Sequence, residues 1–333
     1  MTDHSFSSSR RTLLGGVAAT TASLIAATGF APQAQAASVS KSLSAKGPVT
    51  FYAEIRVAQP NKAAFDQGFH AFAAAMQKKG ALAVSLKQMV GDSTMVKNYP
   101  ESYKGLLRAA YAEGAKAGTL PLFYSIFVRF ASGKNLSAAG ADAAFNRDVL
   151  PHLHGVMMKD GHPVPSPQPM AVYSGVFETV LAGDRAGIYS QPAELIRFLS
   201  QPVDNNKPEL VTVENHVFVY ESSVAAFDRA VPPLLKVAQE TEQPIDAANP
   251  LGLPGAPDNL NYRKAVSTEI LRKVDADGDL RAYIMHGVWE SVWDHENSHL
   301  DVRFKTAAAP VGAMVAIGPV EPFYSTQITV LKA

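Results

Sequence analysis

Cysteine is absent from this chain of 333 residues, and tryptophan occurs only twice. Without cysteine there is no disulfide, no thiolate nucleophile, no iron–sulfur cluster and no Cys-type zinc site. Net charge is absent too, because 30 basic residues balance 30 acidic ones. The sequence therefore predicts no binding to nucleic acid or to an anionic membrane surface. With 47% hydrophobic residues, the chain has enough apolar side chains to fill substantial cores.

The N-terminal segment has the pattern of a cleaved export signal. Arg10 and Arg11 precede a moderately apolar stretch at 13–31, and an Ala-Gln-Ala cleavage site follows at 34–36. This three-part pattern is typical of a signal peptide, and the arginine pair indicates the twin-arginine (Tat) route. We expect residues 1–36 to be removed and the protein, folded before export, to be periplasmic or secreted. No later segment is long and apolar enough for a transmembrane helix, so we expect no membrane contact after cleavage.

The rest of the chain contains an internal repeat. Residues 51–66 align without a gap on residues 213–228, and both reach the tetrapeptide Ala-Ala-Phe-Asp at the same register. In each copy a strand pattern leads through a short polar turn into a helix. Repeats of this kind decide the fold more than any single motif does.

The pattern of each half predicts the element order β-α-β-β-α-β, with an insertion at a different place in each. In the first half, the elements after the aligned strand are a helix at 61–79, a strand at 81–90, a helix at 100–116, a strand at 122–130, a helix at 142–157 and a strand at 170–177. In the second half they are a helix at 224–241, strands at 267–274 and 280–290, a helix at 292–306 and a strand at 322–331. This order is typical of the ferredoxin-like split βαβ unit.

The predicted fold class is α+β, with two ferredoxin-like repeats in tandem. We expect the first repeat at 48–178, a connector at 179–210 with a short helix at 192–200, and the second repeat at 211–333. A ferredoxin-like unit leaves one face of its sheet without helices, so two units bury those faces by packing sheet to sheet. The expected result is an α/β barrel closed within one chain, with a cavity between the sheets.

A motif near the end of the second repeat carries a family resemblance. The segment 283–304 reads YIMHGVWESVWDHENSHLDVRF, a strand followed by a helix with a His-x-x-Ser-His pattern. It resembles the antibiotic biosynthesis monooxygenase family of the dimeric α/β-barrel superfamily, most clearly over residues 211–331. The matching positions are Trp289, Glu290, His295, Ser298, His299 and Phe304.

The resemblance implies oxygenation of phenolic or quinol-type aromatic molecules without a cofactor. In such a reaction the deprotonated substrate itself reduces dioxygen, and the protein supplies an apolar pocket, a base and hydrogen-bond donors. The implied ligand is a small hydrophobic or aromatic molecule, bound by a monomer or homodimer. The alternative is a periplasmic binding protein that keeps the same barrel cavity for a hydrophobic ligand without catalysis.

Haem-degrading members of the superfamily carry Glu-Asn-Arg on their first strand, which Glu214-Asn215-His216 resembles. Those members also need a Trp and an axial His on the second helix. The matching positions here are His295 and Lys305, so the resemblance implies no haem.

Eight residues are candidates for the site. The candidate catalytic residues are Asn215, His216, His286 and His295. The candidate substrate contacts are Trp289, His299, Phe218 and Tyr283. A neutral histidine is the natural base because its unperturbed pKa lies near neutral pH. For Trp289, a plain role in the core is the alternative to a role at the site, because large aromatics dominate cores.

Two questions stay open at this stage. Asn215 and His216 point to opposite faces of their strand, so only one of them can face a given cavity. Strand alternation favours His216, whereas the family resemblance favours Asn215. His295 and His299 are spaced i and i+4 on a helix, which suits a metal, but no third ligand is evident in the sequence, and we predict no metal site.

The export prediction has a direct test. Replacing Arg10 and Arg11 together by Lys keeps the positive charge but removes the guanidinium pair that the Tat machinery reads, so we expect unprocessed precursor in the cytoplasm. Cell fractionation followed by immunoblotting measures this. Normal periplasmic yield of the variant would instead indicate an ordinary signal peptide.

Overall fold

The computed structural model describes residues 47–90, 116–118, 120–242 and 261–332. The export segment predicted at 1–36, nearly all of the helix predicted at 100–116 and most of the loop after residue 242 lie outside the described residues. No helix within the described part of the chain is long and apolar enough to cross a bilayer.

The described elements follow the predicted order, with additions. The first repeat contains β1 (Val49–Val57), α1 (Lys62–Lys78), β2 (Ala83–Met89), β3 (Leu122–Phe130), α2 (Gly133–Ala139), α3 (Ala141–Asp148), β4 (Val156–Lys159), β5 (His162–Pro165) and β6 (Tyr173–Asp184). The connecting segment contains β7 (Gly187–Tyr189) and α4 (Pro192–Ser200). The second repeat contains β8 (Val211–Tyr220), α5 (Val224–Glu240), β9 (Ser267–Lys273), β10 (Leu280–Trp289), α6 (Val292–Ser298), α7 (Val302–Gly312), β11 (Val315–Val320) and β12 (Phe323–Leu331).

Two predicted helices are interrupted. Instead of one helix at 142–157, the first repeat forms α2 and α3, joined at Gly140 with a left-handed φ of 63° that favours glycine. Instead of one helix at 292–306, the second repeat forms α6 and α7. The break lies at Asp301, whose buried carboxylate accepts from the backbone N–H of Arg303 and so begins a new helix.

The strands close into a barrel. Each repeat has the order expected of a ferredoxin-like sheet, β6-β1-β3-β2 in the first and β12-β8-β10-β9 in the second. The edge strand β2 pairs with β12 of the other repeat, and β9 pairs with β6. All of these pairings are antiparallel, and together they give a closed barrel of eight strands. The predicted fold class is thus confirmed.

Strand β6 belongs to the sheet of the first repeat and also pairs with the second repeat. Strand β6 pairs with β1 of its own repeat along Tyr173 to Glu178 and with β9 along Phe177 to Asp184. It therefore continues past the expected strand end at residue 177 into the segment expected to be connector. Because both edges of each sheet are paired across the repeats, neither sheet keeps a free edge in the barrel.

The helices cover the outside of the barrel. In the first repeat, α1 and α3 pack on the sheet through a dense aromatic core, which includes Phe51, Phe65, Phe69, Phe72, Tyr124 and Phe145. In the second repeat, α5 and α7 pack on the sheet through smaller side chains, which include Val213, Val217, Val231, Leu235 and Val311. The outer layer of the second repeat is therefore less well filled.

The closure predicts that the repeats fold together. Fragments 40–190 and 205–333 each keep a sheet with two unpaired edges and an uncovered face, so we expect them to be insoluble or to self-associate when expressed apart. Size-exclusion chromatography and co-expression measure this. Cooperative unfolding of either fragment as a stable monomer would contradict the closed barrel as the folding unit.

Candidate functional site

The interior of the barrel is packed with side chains from both repeats. One part is an apolar cluster of Tyr52, Phe127, Phe177, Leu271, Ala282 and Ile284, all at most 2% exposed. The other part is a network of buried charged groups. Among the described residues, these side chains fill the space between the two sheets in which a cavity was predicted.

An arginine–carboxylate pair joins the repeats inside the barrel. Both terminal nitrogens of Arg129 donate to the carboxylate of Glu269, at 2.6 and 2.7 Å. The hydroxyl of Thr179 donates to the same carboxylate at 2.7 Å. Such a two-point contact fixes geometry as well as charge, so it holds β3 of the first repeat against β9 of the second.

A second pair contains the candidate base His286. The ammonium of Lys87 lies 2.5 Å from Asp204 and donates to Nε2 of His286 at 3.1 Å. Burial and the positive charge of Lys87 lower the pKa of His286 well below its ordinary value. His286 is thus a neutral acceptor inside a structural network, and its ring packs against Phe127 with centroids 5.3 Å apart.

His216 and Phe218 also face the barrel interior. Nε2 of His216 lies 3.3 Å from the hydroxyl of Tyr52, and burial lowers its pKa. The ring of Phe218 packs on Tyr173 with centroids 6.4 Å apart. Strand alternation correctly placed His216 between the sheets, but the filled interior leaves no room for a substrate beside it.

The cavity lies instead on the outer side of the second repeat. It has a volume of about 340 Å³ and is bordered by the sheet of β8, β9 and β10 and by helices α5 and α7. We call it the outer cavity. Its walls are mainly apolar, from Val213, Val217, Leu234, Leu235, Ala238, Ile270, Met285, Trp289, Phe304, Ala308 and Val311.

The internal repeat explains why the cavity is there. Helices α1 and α5 begin and end at equivalent positions, each residue of the second repeat lying 162 positions after its counterpart. At four positions of this register the first repeat has the larger side chain: Phe51 against Val213, Phe69 against Val231, Phe72 against Leu234, and Met76 against Ala238. At a fifth position the second repeat has the larger one, Leu235 against Ala73. The volume that these side chains fill in the first repeat is left open in the second.

One end of the outer cavity is polar. It is formed by Asn215 of β8, His295 of α6, His299 directly after α6, and Glu321 between β11 and β12. We call these four residues the polar end. The amide nitrogen of Asn215 donates to Oε1 of Glu321. Nδ1 of His295 and Oδ1 of Asn215 are buried with no hydrogen-bond partner among the described residues.

Burial keeps His295 of the polar end uncharged. Burial and the neighbouring His299 lower the pKa of His295 well below its ordinary value, so its imidazole is neutral at pH 7. On the same helix, burial and the charge of Glu321 raise the pKa of Glu296 to about 8. The polar end therefore offers a neutral proton acceptor next to a carboxylate.

Aromatic contacts set the orientation of the histidine rings. The ring of His295 lies edge-on to Trp289 and to Phe323, with centroids 5.3 Å apart in both cases. The indole of Trp289 in turn lies over Gly287, where a Cβ would come within 2.8 Å of the indole nitrogen. Glycine at this position is thus required for the indole to fold down against the sheet.

The remaining candidates have structural contacts. Tyr283 faces α5 beyond the cavity, where its hydroxyl donates to Asp228 at 2.8 Å and its ring packs on Phe227. Glu290 of the sequence motif lies at the surface and pairs with Arg185 at 2.8 Å. The structure therefore places five of the eight candidates along the outer cavity, namely Asn215, Trp289, His295 and His299 together with the structural His286.

Neither Glu321 nor the α5 wall of the cavity was predicted from the sequence. Glu321 lies in a Pro-rich turn between strands, and no local pattern links it to α6. Leu234 and Ala238 have an ordinary apolar helix spacing. A comparison of side-chain size between the two repeats, carried along the whole helix, is the signal that would have located the cavity.

Comparison with known families matches both halves of the chain. Residues 48–135 match the ABM-like domain, and residues 180–327 match the CT0912-like, C-terminal domain. The predicted family resemblance is thereby confirmed, although the ABM-like match covers the first repeat, whereas the sequence motif lies in the second.

Several solved structures are similar to this chain over most of their length. An anthrone oxidase-like protein is 13% identical, with a TM-score of 0.48 over 86% of this chain and 93% of that one. A candidate monooxygenase from Lactobacillus acidophilus is 10% identical, with a TM-score of 0.45 over 86% and 98%. One from Fusobacterium nucleatum is 8% identical, with a TM-score of 0.45 over 86% and 95%. No curated protein matches the sequence.

The barrel interior predicts a dependence of stability on pH. Burial raises the pKa of Glu214 from 4.5 to about 7, although Lys87 and hydrogen bonds from Ser125 and Tyr52 act in the opposite direction. A carboxyl whose pKa is raised by folding binds its proton more tightly in the folded protein. Its contribution is therefore complete below the unfolded pKa and is lost as the pH rises through the folded pKa.

We expect Glu214→Gln to remove this loss. Between about pH 5 and about pH 8, the free energy of unfolding should fall by on the order of 1–3 kcal/mol more in the wild type than in the variant. Urea unfolding at both pH values measures the difference. Parallel pH profiles for the two proteins would contradict the raised pKa.

Proposed function

We propose that the protein binds a small phenolic or quinol-type aromatic molecule in the outer cavity and oxygenates it. The observation that carries this proposal is the cavity of about 340 Å³ in the second repeat, at the register where the first repeat is filled. A volume of this order suits a molecule of a few fused or linked rings. We further propose that the protein acts outside the cytoplasm, which is what its N-terminal signal pattern indicates.

The apolar walls support an aromatic substrate. Side chains from α5, such as Leu234 and Ala238, face the sheet across the cavity, and Trp289 lies against its floor. Burial of a flat ring between these walls removes apolar surface from water, which stabilises the complex by about 25 cal/mol for each Å² buried. The walls thereby select for shape and low polarity rather than for a particular charged group.

The polar end supports proton removal from the substrate hydroxyl. A substrate hydroxyl that approaches Nδ1 of His295 meets a neutral imidazole nitrogen with no other partner in the described structure. Asn215 offers an unpartnered amide oxygen at the same place. One of these two acceptors would gain a hydrogen bond from the hydroxyl of a bound ligand, which favours that ligand over a hydrocarbon of equal size.

The proposed reaction balances without an added reductant. The substrate loses a proton to the polar end, and the resulting anion passes two electrons to dioxygen in one-electron steps. One oxygen atom then bonds to the ring carbon and becomes a carbonyl oxygen. The O–O bond breaks in this step, and the other oxygen atom leaves as water with two hydrogens of the substrate, one from its hydroxyl by way of the polar end and one from this carbon.

Filling the outer cavity tests the proposal. Leu234→Phe and Ala238→Met together install the side chains that the first repeat carries at the same register. We expect binding of an anthrone or hydroquinone probe, measured by fluorescence titration, to weaken by at least about tenfold, because the ring volume is occupied. Oxygen uptake with the same probes, measured with an electrode, should fall with it, while thermal stability is kept.

A matched control is Lys236→Met on the same helix. Its side chain is 62% exposed, so this change adds a methionine to α5 without entering the cavity. Equal binding by the wild type and the filled variant would refute the cavity as the ligand site. Probe binding that the filled variant loses, with no oxygen uptake by the wild type, would refute catalysis and favour a binding protein.

A further inference from the structure

We propose that His295, His299 and Glu321 bind one divalent transition-metal ion at the polar end of the outer cavity. The proposal does not depend on the oxygenation proposed above, because an ion can bind there whether or not an aromatic molecule does. It also departs from the sequence-based prediction of no metal site, which rested on the lack of a third ligand.

The third ligand comes from the other side of the cavity. One ligand atom from each of the three side chains lies within 4.8 Å of both others, and no other group of this kind occurs among the described residues. Nitrogen and oxygen ligands of one zinc ion, each about 2.1 Å from it, lie roughly 3.4 Å apart. Rotation of the partly exposed Glu321 side chain covers a difference of this size.

The two histidines are held in position for a shared ligand. They are spaced i and i+4 across the end of α6, which places them on one face. Their rings lie 4.4 Å apart, and Phe304 packs on His299 from the other side at 4.9 Å. The rings are thus brought together by packing, without a hydrogen bond between them.

Two further observations indicate a bound partner. His295 is 5% exposed, yet its Nδ1 has no hydrogen-bond partner in the described part of the chain. A buried nitrogen without a partner is costly, and an ion would remove that cost. Asn215 donates to Oε1 of Glu321, which is the kind of contact that orients a ligating carboxylate from behind.

The ligand chemistry points to a class of ion. Two imidazoles and one carboxylate suit Zn²⁺, Fe²⁺ or Co²⁺, and they leave open coordination positions. The cavity walls next to these positions are apolar, so an open position would face any aromatic ligand. His295 and His299 cannot hold an ion and accept a proton at once. With the ion bound, its positive charge would favour the substrate phenolate instead.

The other histidines of the chain make no comparable group. His152 and His154 precede the β4–β5 hairpin, which begins its second strand at His162. Although their spacing in the sequence suggests a cluster, no third ligand atom comes within the same range of them in the described structure. His162 is exposed and serves as the control position.

Metal titration tests the proposal directly. Untagged protein is stripped with a chelator and titrated with Zn²⁺ by calorimetry, and with Co²⁺ by visible absorption, which reports the ligand geometry. We expect one ion per chain. His299→Ala and Glu321→Gln should each weaken binding by at least about tenfold, and Asn215→Leu by about ten- to a hundredfold with the Co²⁺ spectrum altered rather than lost. His162→Ala should leave binding unchanged.

Circular dichroism and the binding of the anthrone probe to the metal-free variants show whether the cavity is still folded. Loss of the ion in both ligand variants with the probe still bound supports the site. No binding by the wild type, binding that neither ligand variant weakens, or loss of binding in His162→Ala would each overturn it. Absence of oxygen uptake in the earlier assay leaves these outcomes unaffected, so the two proposals fail separately.

Discussion

The closure of two incomplete sheets is the constraint on which this molecule depends. A ferredoxin-like unit has a face without helices and two edges without hydrogen-bond partners, and both are costly in water. Here β2 pairs with β12 and β9 pairs with β6, so each repeat satisfies the edges of the other. The same closure buries both open faces in one interior. The side chains that fill this interior decide where a cavity can lie.

The interior holds charges that only the assembled barrel can satisfy. Arg129 of the first repeat reaches Glu269 of the second, and Ser125 donates to Glu214 at 2.5 Å across the same space. A buried charge without its partner costs several kcal/mol, so these pairs disfavour any alternative packing of the two sheets. They also occupy the space in which a ligand would otherwise bind. The outer side of a sheet, under the helices, is the remaining place for a cavity.

The sequence predicted the architecture well, because the hydrophobic periodicity of each segment and the alignment of 51–66 with 213–228 can be read directly from it. The strand at 122–130 and the helix at 192–200 have the predicted bounds, since turn and proline signals flank them. The break at Asp301 was missed, because a capping aspartate in the middle of a helical pattern stabilises the break only with the tertiary contact from Tyr262. The site was half predicted. Alternation separated Asn215 from His216 correctly, but which face is open depends on the packing of the whole barrel.

The two repeats differ in the size of the side chains under their helices. The first repeat has large aromatic side chains there and the second has smaller ones, and the outer cavity lies in the second. The polar end of this cavity is linked to the closure of the barrel. Glu321 precedes β12, which pairs with β2 of the first repeat, and the backbone N–H of Glu214 donates to the carbonyl of Pro322 at 3.1 Å. The carboxylate that faces His295 is therefore positioned by the seam that closes the barrel, so any change that loosens this seam moves a group of the site.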